Sequence, residues 1–361
     1  MRRTPFLSSA GASLLALSTL GAAAAGQTSP TLEIIDQELE DASGGGSSFA
    51  VVRGNLTTFQ VGGAPGRAVV LAMSPTPPPA DPPVLGGVEL AVDPQNLIVL
   101  VSGLADGQSL IGPGGTFELS LTIPAASALG GQFWMQALTA DPGGANPALS
   151  AGVELVVADA LLFDFEDGPQ GWQAGFSDYP VGEELFYELG SGHGPLPAPL
   201  DGSKSAFRIQ GHNHSDDLYM FLKRELTGLQ PGKSYQVLYK LEIASMYPEE
   251  SVGIGGSPGA SVYLKAGATA VEPQQVDAGG FYVMNVDKGN QSMGGADLQV
   301  LGTIGIPGSQ FVWTLIQRDN LASPTAATAD ANGSLWISAG TDSGFEGLTE
   351  LYYDRILIKL F

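Results

Sequence analysis

The sequence predicts an all-β protein with two domains. No long stretch repeats apolar residues with the 3.6-residue period of a helix. Short runs rich in β-branched and aromatic residues instead alternate with Gly, Pro, Asn and Asp at intervals of about 8–12 residues. The chain has 361 residues, and a domain averages roughly 150 residues, which favours two. We therefore interpret its 50 Gly and 25 Pro as turn residues between strands.

Composition excludes several classes of protein. The absence of Cys excludes a disulfide scaffold, a zinc ribbon and a Cys nucleophile. With 37 acidic against 15 basic residues, the formal charge is −22. Phosphate contacts need clustered Lys and Arg, so no nucleic-acid partner is expected.

The N-terminus has the features of an export signal, predicted over residues 1–26. Arg2 and Arg3 precede an apolar run from Leu14 to Ala25, which ends in small residues suited to cleavage. No later stretch approaches about 18 uninterrupted apolar residues, so the mature chain is expected to lack a transmembrane segment. The predicted location is secreted or at the cell surface, with the periplasm as an alternative.

The first domain is predicted over residues 48–157, after a flexible Gly/Ser-containing lead-in at 27–47. Alternation is clearest in Thr116–Ile123, where apolar and polar residues take turns along the strand. The predicted strands are Phe49–Arg53, Arg67–Met73, Leu97–Val101, Thr116–Ile123, Gln132–Leu138 and Gly152–Val157.

The second domain is predicted over residues 158–361. Eleven strand candidates favour a two-sheet jelly roll over a smaller sandwich. They are Leu161–Glu166, Glu184–Leu189, Ser205–Gln210, Leu218–Arg224, Tyr235–Ile243, Ser261–Lys265, Phe281–Val286, Leu298–Leu301, Phe311–Gln317, Ser334–Ser338 and Leu351–Leu360.

Two resemblances accompany these patterns. Gly115–Val157, with its Ile-Pro strand exit and Trp134, resembles the end of an immunoglobulin-like module of exported bacterial proteins. Segments of the second half, including Phe163–Trp172 and Gly340–Ile356, resemble an uncharacterised exported domain with the layout of carbohydrate-binding jelly rolls. The first resemblance implies an Ig-like β-sandwich. The second implies a jelly roll and suggests glycan binding.

The jelly-roll resemblance also suggests a structural calcium ion. Such domains open with an F-E-x-G…W strand and close with a Y-x-D-x-I strand, and calcium often bridges the two. Glu166 and Asp354 occupy the acidic positions here, and Asp167 is a third candidate. Calcium takes six to eight oxygen ligands, which carboxylates and loop carbonyls can supply. The alternative is that Glu166 and Asp167 cap a turn, and that Asp354 pairs with a neighbouring base.

All three histidines lie close together in the sequence. His212 and His214 are two residues apart, so on a strand their rings point to the same face. With His193 they form a set suited to zinc, copper or iron, or they belong to a polar ligand-contacting loop that includes Asp216 and Asp217. The spacing does not match the cupin motif.

Exposed aromatic rings would support sugar binding. Tyr179 and Tyr247 each stand beside a Pro in loop-like sequence, so they are predicted to be exposed and to contact ligand. Two catalytic-looking motifs are rejected. Gly255–Gly259 matches the letters of the G-x-S-x-G nucleophile elbow, but Pro258 has no N–H for an oxyanion hole. Asp342-Ser343-Gly344 resembles a serine-protease tripeptide and is interpreted as a tight loop.

The predicted function is therefore an exported, non-catalytic binding protein that contacts a polysaccharide or cell-surface component, with a structural calcium ion. Two alternatives stay open. One is a structural or adhesive surface protein without a small ligand. The other is a metal-dependent enzyme that uses His193, His212 and His214.

Overall fold

The computed structural model describes residues 29–36, 41–43, 48–85, 87–215 and 217–361. Regular structure in this part is almost entirely β-strand, so the all-β fold class is confirmed. The chain divides into two compact units: unit 1 reaches Asp159 and includes Phe361, and unit 2 runs from Ala160 to Leu360. No helix among the described residues has the length and apolar character needed to cross a membrane. The predicted signal at 1–26 lies outside the described residues.

Unit 1 contains the first strands and one short helix, α1, at Gly103–Asp106. Its strands are β1 Thr31–Asp36, β2 Asp41–Ser43, β3 Ser48–Val52, β4 Leu56–Gly62, β5 Ala68–Ser74, β6 Val84–Leu85, β7 Val88–Glu89, β8 Ile98–Ser102, β9 Thr116–Thr122, β10 Gln132–Ala140, β11 Ala148–Leu149 and β12 Val153–Phe163.

Two sheets of unit 1 share an apolar core. One sheet has the order β2-β1-β4-β9, and the other includes β12-β10-β5-β8, with β3 parallel to β12. Phe59 and Val61 of the first sheet pack in one cluster with Leu71, Met135 and Leu155 of the second. Alternate residues of these strands face the cluster, which is the arrangement of a β-sandwich.

The predicted flexible lead-in at 27–47 is wrong over its described part. Thr31–Asp36 pairs antiparallel with β4 in a continuous register from Thr31 opposite Gly62 to Asp36 opposite Thr57. Leu32 and Ile34 flank the polar Glu33, and Ile34 is buried in the core. The strand pairs with β4 because its apolar residues give it a buried face. The prediction of a flexible segment rested on the Gly/Ser run that follows this strand in the sequence.

Unit 2 contains the end of β12 and fourteen further strands among the described residues. These are β13 Gln173–Ser177, β14 Tyr179–Pro180, β15 Gly190–Pro195, β16 Ser205–His212, β17 Leu218–Leu226, β18 Ser234–Ser245, β19 Val262–Thr269, β20 Gln275–Asp277, β21 Phe281–Met284, β22 Leu298–Thr303, β23 Thr314–Asp319, β24 Thr325–Thr328, β25 Leu335–Ser343 and β26 Leu348–Leu360.

The core of unit 2 lies between two large sheets. In one sheet β26 lies between β16 and β18, with β15 beyond β16 and with β23 and β24 beyond β18. The other is the five-stranded sheet β13-β17-β25-β19-β22. Gly211 of β16 lies so close to Leu218 and Met220 of β17 that a Cβ atom there would come within 3.0 Å of their side chains. The even-numbered residues of β17 therefore face the first sheet, and Tyr219, Phe221 and Lys223 face away from it.

A three-stranded sheet, β14-β21-β20, lies on that outward side of the five-stranded sheet. Met284 of β21 and Val286 just after it pack against Tyr219 and Phe221. This covering layer leaves part of the outward face open, and the candidate site lies there.

Two local predictions differ from the structure, and one strand was missed. Glu184–Leu189 is a loop. The predicted boundary at 157/158 lies two residues before the division of the units between Asp159 and Ala160, within the continuous strand β12. Asp342 lies within β25 and not in a tight loop. Strand β15 has the sequence GSGHGP, whose glycines gave no β signal, yet it pairs along its length with β16.

Candidate functional site

A cleft of about 520 Å³ opens on the outward face of the five-stranded sheet. Its walls come from β13, β17, the loop 181–189 and the segment that leads into β20. The lining residues are Ala174, Gly175, Phe176, Tyr179, Glu184, Leu189, Phe221, Lys223, Gln274 and Gln275.

The floor of the cleft depends on a glycine. Gly175 lies opposite Phe221 in the register of β13 and β17. A Cβ atom on Gly175 would come within 2.3–2.8 Å of the Phe221 ring. Only glycine therefore leaves room for this ring, which is 1% exposed and packs beneath the floor of the cleft.

Polar groups converge on one side of the cleft. The ammonium of Lys223 donates to Glu272 at 2.6 Å and to the carbonyl of Pro273 at 3.0 Å. This hydrogen bond from Lys223 lowers the pKa of Glu272. Gln274 donates to the same carboxylate at 2.6 Å. Lys223 is thus charge-compensated and keeps a fixed position, while the amides of Gln274 and Gln275 offer both donors and acceptors.

An aromatic stack, defined as Phe186, His214 and His212, lies beside the loop 181–189 that forms one cleft wall. The ring centroids are 4.1 Å apart between Phe186 and His214, and 4.0 Å apart between His214 and His212. Glu188 lies 2.8 Å from Nδ1 of His212. Phe186 is 57% exposed, so one end of the stack is open to solvent.

The predicted exposed tyrosines are buried, which corrects that expectation. Tyr179 lines the cleft but is only 2% exposed, because its ring packs between Tyr187 and Tyr282. Tyr247 is also buried, and its hydroxyl accepts from the Glu350 N–H and donates to the Leu348 carbonyl. Pro248 correctly indicated that Tyr247 lies outside the strands, but Tyr179 and Pro180 form strand β14.

The three histidines do not converge, so the three-histidine metal site is wrong. His193 lies opposite Phe207 on β16, an odd-numbered position, whereas His212 occupies an even-numbered position of the same strand. They therefore project from opposite faces of the sheet. The Nε2 atom of His193 lies 2.6 Å from the Phe165 carbonyl. No group of three or more His, Asp or Glu side chains in the described ranges is arranged to hold a metal ion.

Of the two aspartates beyond the histidines, Asp216 lies outside the described residues. Asp217 lies 3.9 Å from the ammonium of Lys288, and its side chain is 34% exposed. It therefore adjoins the buried charges around Lys288.

The predicted calcium residues differ in burial: Asp354 is buried, whereas Glu166 and Asp167 are exposed. Asp354 is 1% exposed, and its Oδ2 atom has no hydrogen-bond partner. Burial, followed by the adjoining Glu242 carboxylate, raises the pKa of Asp354 to about 6, and Glu166 adds a smaller effect. The acidic partner is therefore Glu242, which sequence spacing did not indicate.

Comparisons with known proteins find only distant structural likeness. No protein-family model and no curated protein matches the chain. A carbohydrate-binding module of the β-sandwich superfamily, described for promiscuous specificity, is 10% identical with a TM-score of 0.29, over 91% of this chain and 97% of that one. A module described for mannan recognition is 11% identical with a TM-score of 0.28, over 56% and 95%. Such low TM-scores establish no shared fold.

Proposed function

We propose that unit 2 binds a glycan in the cleft. The observation that carries this proposal is the combination of an apolar lining at Ala174, Phe176 and Leu189 with convergent polar groups at Lys223, Gln274 and Gln275. Sugars present apolar C–H faces and hydroxyls that both donate and accept, and this lining complements both features. The volume of about 520 Å³ is within the usual range for small-ligand sites, roughly 300–1,000 Å³.

The aromatic stack extends the proposed binding surface. Glu184 and Leu189 line the cleft, and Phe186 lies between them in the same loop. A glycan longer than the cleft would therefore reach the exposed ring of Phe186, where a pyranose face can stack.

Replacing Phe186 with alanine is expected to weaken glycan binding by about three- to tenfold, because aromatic stacking contributes roughly 0.5–1.5 kcal/mol. The measurement is isothermal titration calorimetry of the full chain with a polysaccharide selected from an array. Phe186 is more than half exposed, so the variant should keep the wild-type fold and thermal melt.

Phe311→Ala is the matched control, since Phe311 is a similarly exposed phenylalanine of the same unit at 54%. It should bind as the wild type does. Equal weakening by both substitutions would contradict the assignment of the stack. Failure of the wild type to bind any polysaccharide would contradict glycan binding and favour the structural or adhesive alternative.

We propose further that calcium binds at the carboxylate pair of Asp354 and Glu242. The buried, unpartnered Oδ2 of Asp354 beside a second carboxylate supports this proposal, because Ca²⁺ takes oxygen ligands and offsets their repulsion. Because the pKa of Asp354 is raised to about 6 in the folded protein, the free energy of unfolding should fall as the pH rises from about 4 to about 6. Calcium would counter that loss only where the carboxyl is ionised.

Millimolar calcium, added after chelation, should therefore raise the melting temperature at pH 7.5 and have little effect at pH 4.5. Glu242→Gln should reduce the shift, while Glu33→Gln in unit 1 should retain it. An unchanged melting temperature at pH 7.5 would refute calcium binding.

The proposed site of action is outside the cytoplasm, at the cell surface or in the secreted fraction. This proposal rests on the basic and apolar sequence of residues 1–26. N-terminal sequencing of the native protein would test cleavage near Gly26.

A further inference from the structure

A charge cluster of five side chains, four of them buried and Asp217 about one third exposed, lies on the outward face of the five-stranded sheet, outside the cleft. Its members are Asp178, Asp217, Lys265, Lys288 and Asp342. Lys265 on β19 and Asp342 on β25 are both fully buried, and the ammonium of Lys265 lies 2.7 Å from Oδ2 of Asp342. An amine and a carboxyl group held this close without water are placed to condense.

We propose that Lys265 and Asp342 become joined by an amide bond between their side chains, with Asp217 as the proton carrier. The product is an intramolecular cross-link between two neighbouring antiparallel strands. The proposal concerns a covalent modification and is independent of glycan binding.

Lys265 is positioned as the nucleophile. Its Nζ atom donates to the carbonyls of Lys288 at 2.7 Å and Met293 at 3.0 Å, as well as to Asp342. These contacts fix the amine beside the carboxyl carbon. Burial, aided by the positive charge of Lys288, lowers the pKa of Lys265 despite the attraction of Asp342. The reactive neutral amine is therefore more accessible here than at an exposed lysine.

Asp342 is positioned as the electrophile. Its Oδ2 atom accepts from the ammonium of Lys288 at 2.9 Å and from the Gln291 N–H at 3.0 Å. When the amine attacks, negative charge develops on a carboxyl oxygen, and these two donors lie where they stabilise it. Asp178, 3.2 Å from Lys288, helps to keep that lysine cationic.

Asp217 supplies the proton. It lies within hydrogen-bonding reach of Asp342, and burial followed by this contact raises the pKa of Asp217 to about 8. Oδ1 of Asp217 and Oδ1 of Asp342 are both buried without another hydrogen-bond partner. Two carboxyl groups in contact hold one proton between them, so these oxygens are the ones that share it.

The reaction balances without an added reagent. The ammonium of Lys265 first gives one proton, through Oδ2 of Asp342, to the carboxyl pair that shares a proton at the two Oδ1 atoms, so that the amine is neutral, the hydroxyl of Asp342 is at Oδ1 and Asp217 stays protonated. The nitrogen then attacks Cγ, and the carbon–oxygen bond to Oδ1 breaks as Asp217 protonates the departing hydroxyl. Asp217 recovers a proton from the nitrogen, and one water molecule leaves. Because the site is buried, little water is present to reverse the step.

Intact-mass spectrometry of the purified full chain tests the proposal. The wild-type mass should be lower than the sequence mass by one water molecule, after allowance for N-terminal processing. Proteolysis should yield a branched peptide that contains both Lys265 and Asp342. A wild-type mass without water loss, or water loss without that branched peptide, would overturn the proposal.

Variants separate the roles of the three groups. Lys265→Arg should abolish the water loss, and Asp217→Asn should reduce the cross-linked fraction at least tenfold. Lys223→Arg is the matched control, because Lys223 also pairs with a carboxylate on this face and should leave cross-linking intact. Water loss in the Lys265→Arg variant would assign the reaction to another residue, and full cross-linking in Asp217→Asn would refute the role of Asp217.

Discussion

Replacing Asp342 with alanine is expected to lower the free energy of unfolding of unit 2 by about 3–5 kcal/mol, because removing one member of a buried ion pair leaves an uncompensated charge. Asp342 contacts the ammonium groups of both Lys265 and Lys288. Equilibrium unfolding in urea, compared with the wild type, measures the change. The stated range applies to molecules that hold the Lys265–Asp342 ion pair; in cross-linked molecules the substitution removes the amide bond instead.

A double variant distinguishes the unpaired charge from the lost bond. Lys265→Met combined with Asp342→Ala also removes the cross-link, but it leaves no uncompensated Lys265. Lys288 retains Asp178 as its partner. The double variant should therefore be more stable than Asp342→Ala alone. Equal stability of the two variants would show that the buried charge on Lys265 is not the cause.

Replacing Ile34 with alanine is expected to destabilise unit 1 by about 2–4 kcal/mol, as large-to-small substitutions do in a packed core. Ile34 is 2% exposed and lies opposite Phe59 on β4. Hydrogen exchange read by mass spectrometry on β4 and β9 peptides should increase, while exchange in unit 2 should not change.

Glu33→Ala is the control, since Glu33 belongs to the same strand but faces solvent. It should change the stability of unit 1 by less than about 0.5 kcal/mol. If Ile34→Ala exchanged like the wild type, β1 would not be part of the folded core.

Alternation of apolar and polar residues in the sequence predicted several strands that have one apolar and one polar face, although β1 was missed. Thr116–Ile123 was predicted from its period of two, and β9 occupies Thr116–Thr122. Strand β15 was missed because four of its residues are Gly or Pro and it has no apolar face. It is a strand only because β16 supplies a partner for its backbone, and no local pattern reveals that pairing.

The clustered side chains were harder to predict from the sequence than the strands, because residues that meet in the fold are far apart in the chain. The two-residue spacing of His212 and His214 predicts a shared face, and their rings stack. The position of His193 depends on the register of β15 against β16, which spacing cannot supply. Lys265 and Asp342 are separated by 77 positions. A lysine in the middle of the apolar run VYLKAG was the available signal, because a charge buried in a strand needs a partner.

The place of β26 in its sheet has a consequence for the order of folding. This strand comes last in unit 2, yet it lies between β16 and β18 and pairs with both. Until it arrives, these two strands face each other across a gap and their inner edges remain unpaired. Unit 2 therefore cannot complete its sheet progressively during synthesis. It must remain open until nearly the whole unit has been made, because the strand that closes the sheet is the last to be synthesised.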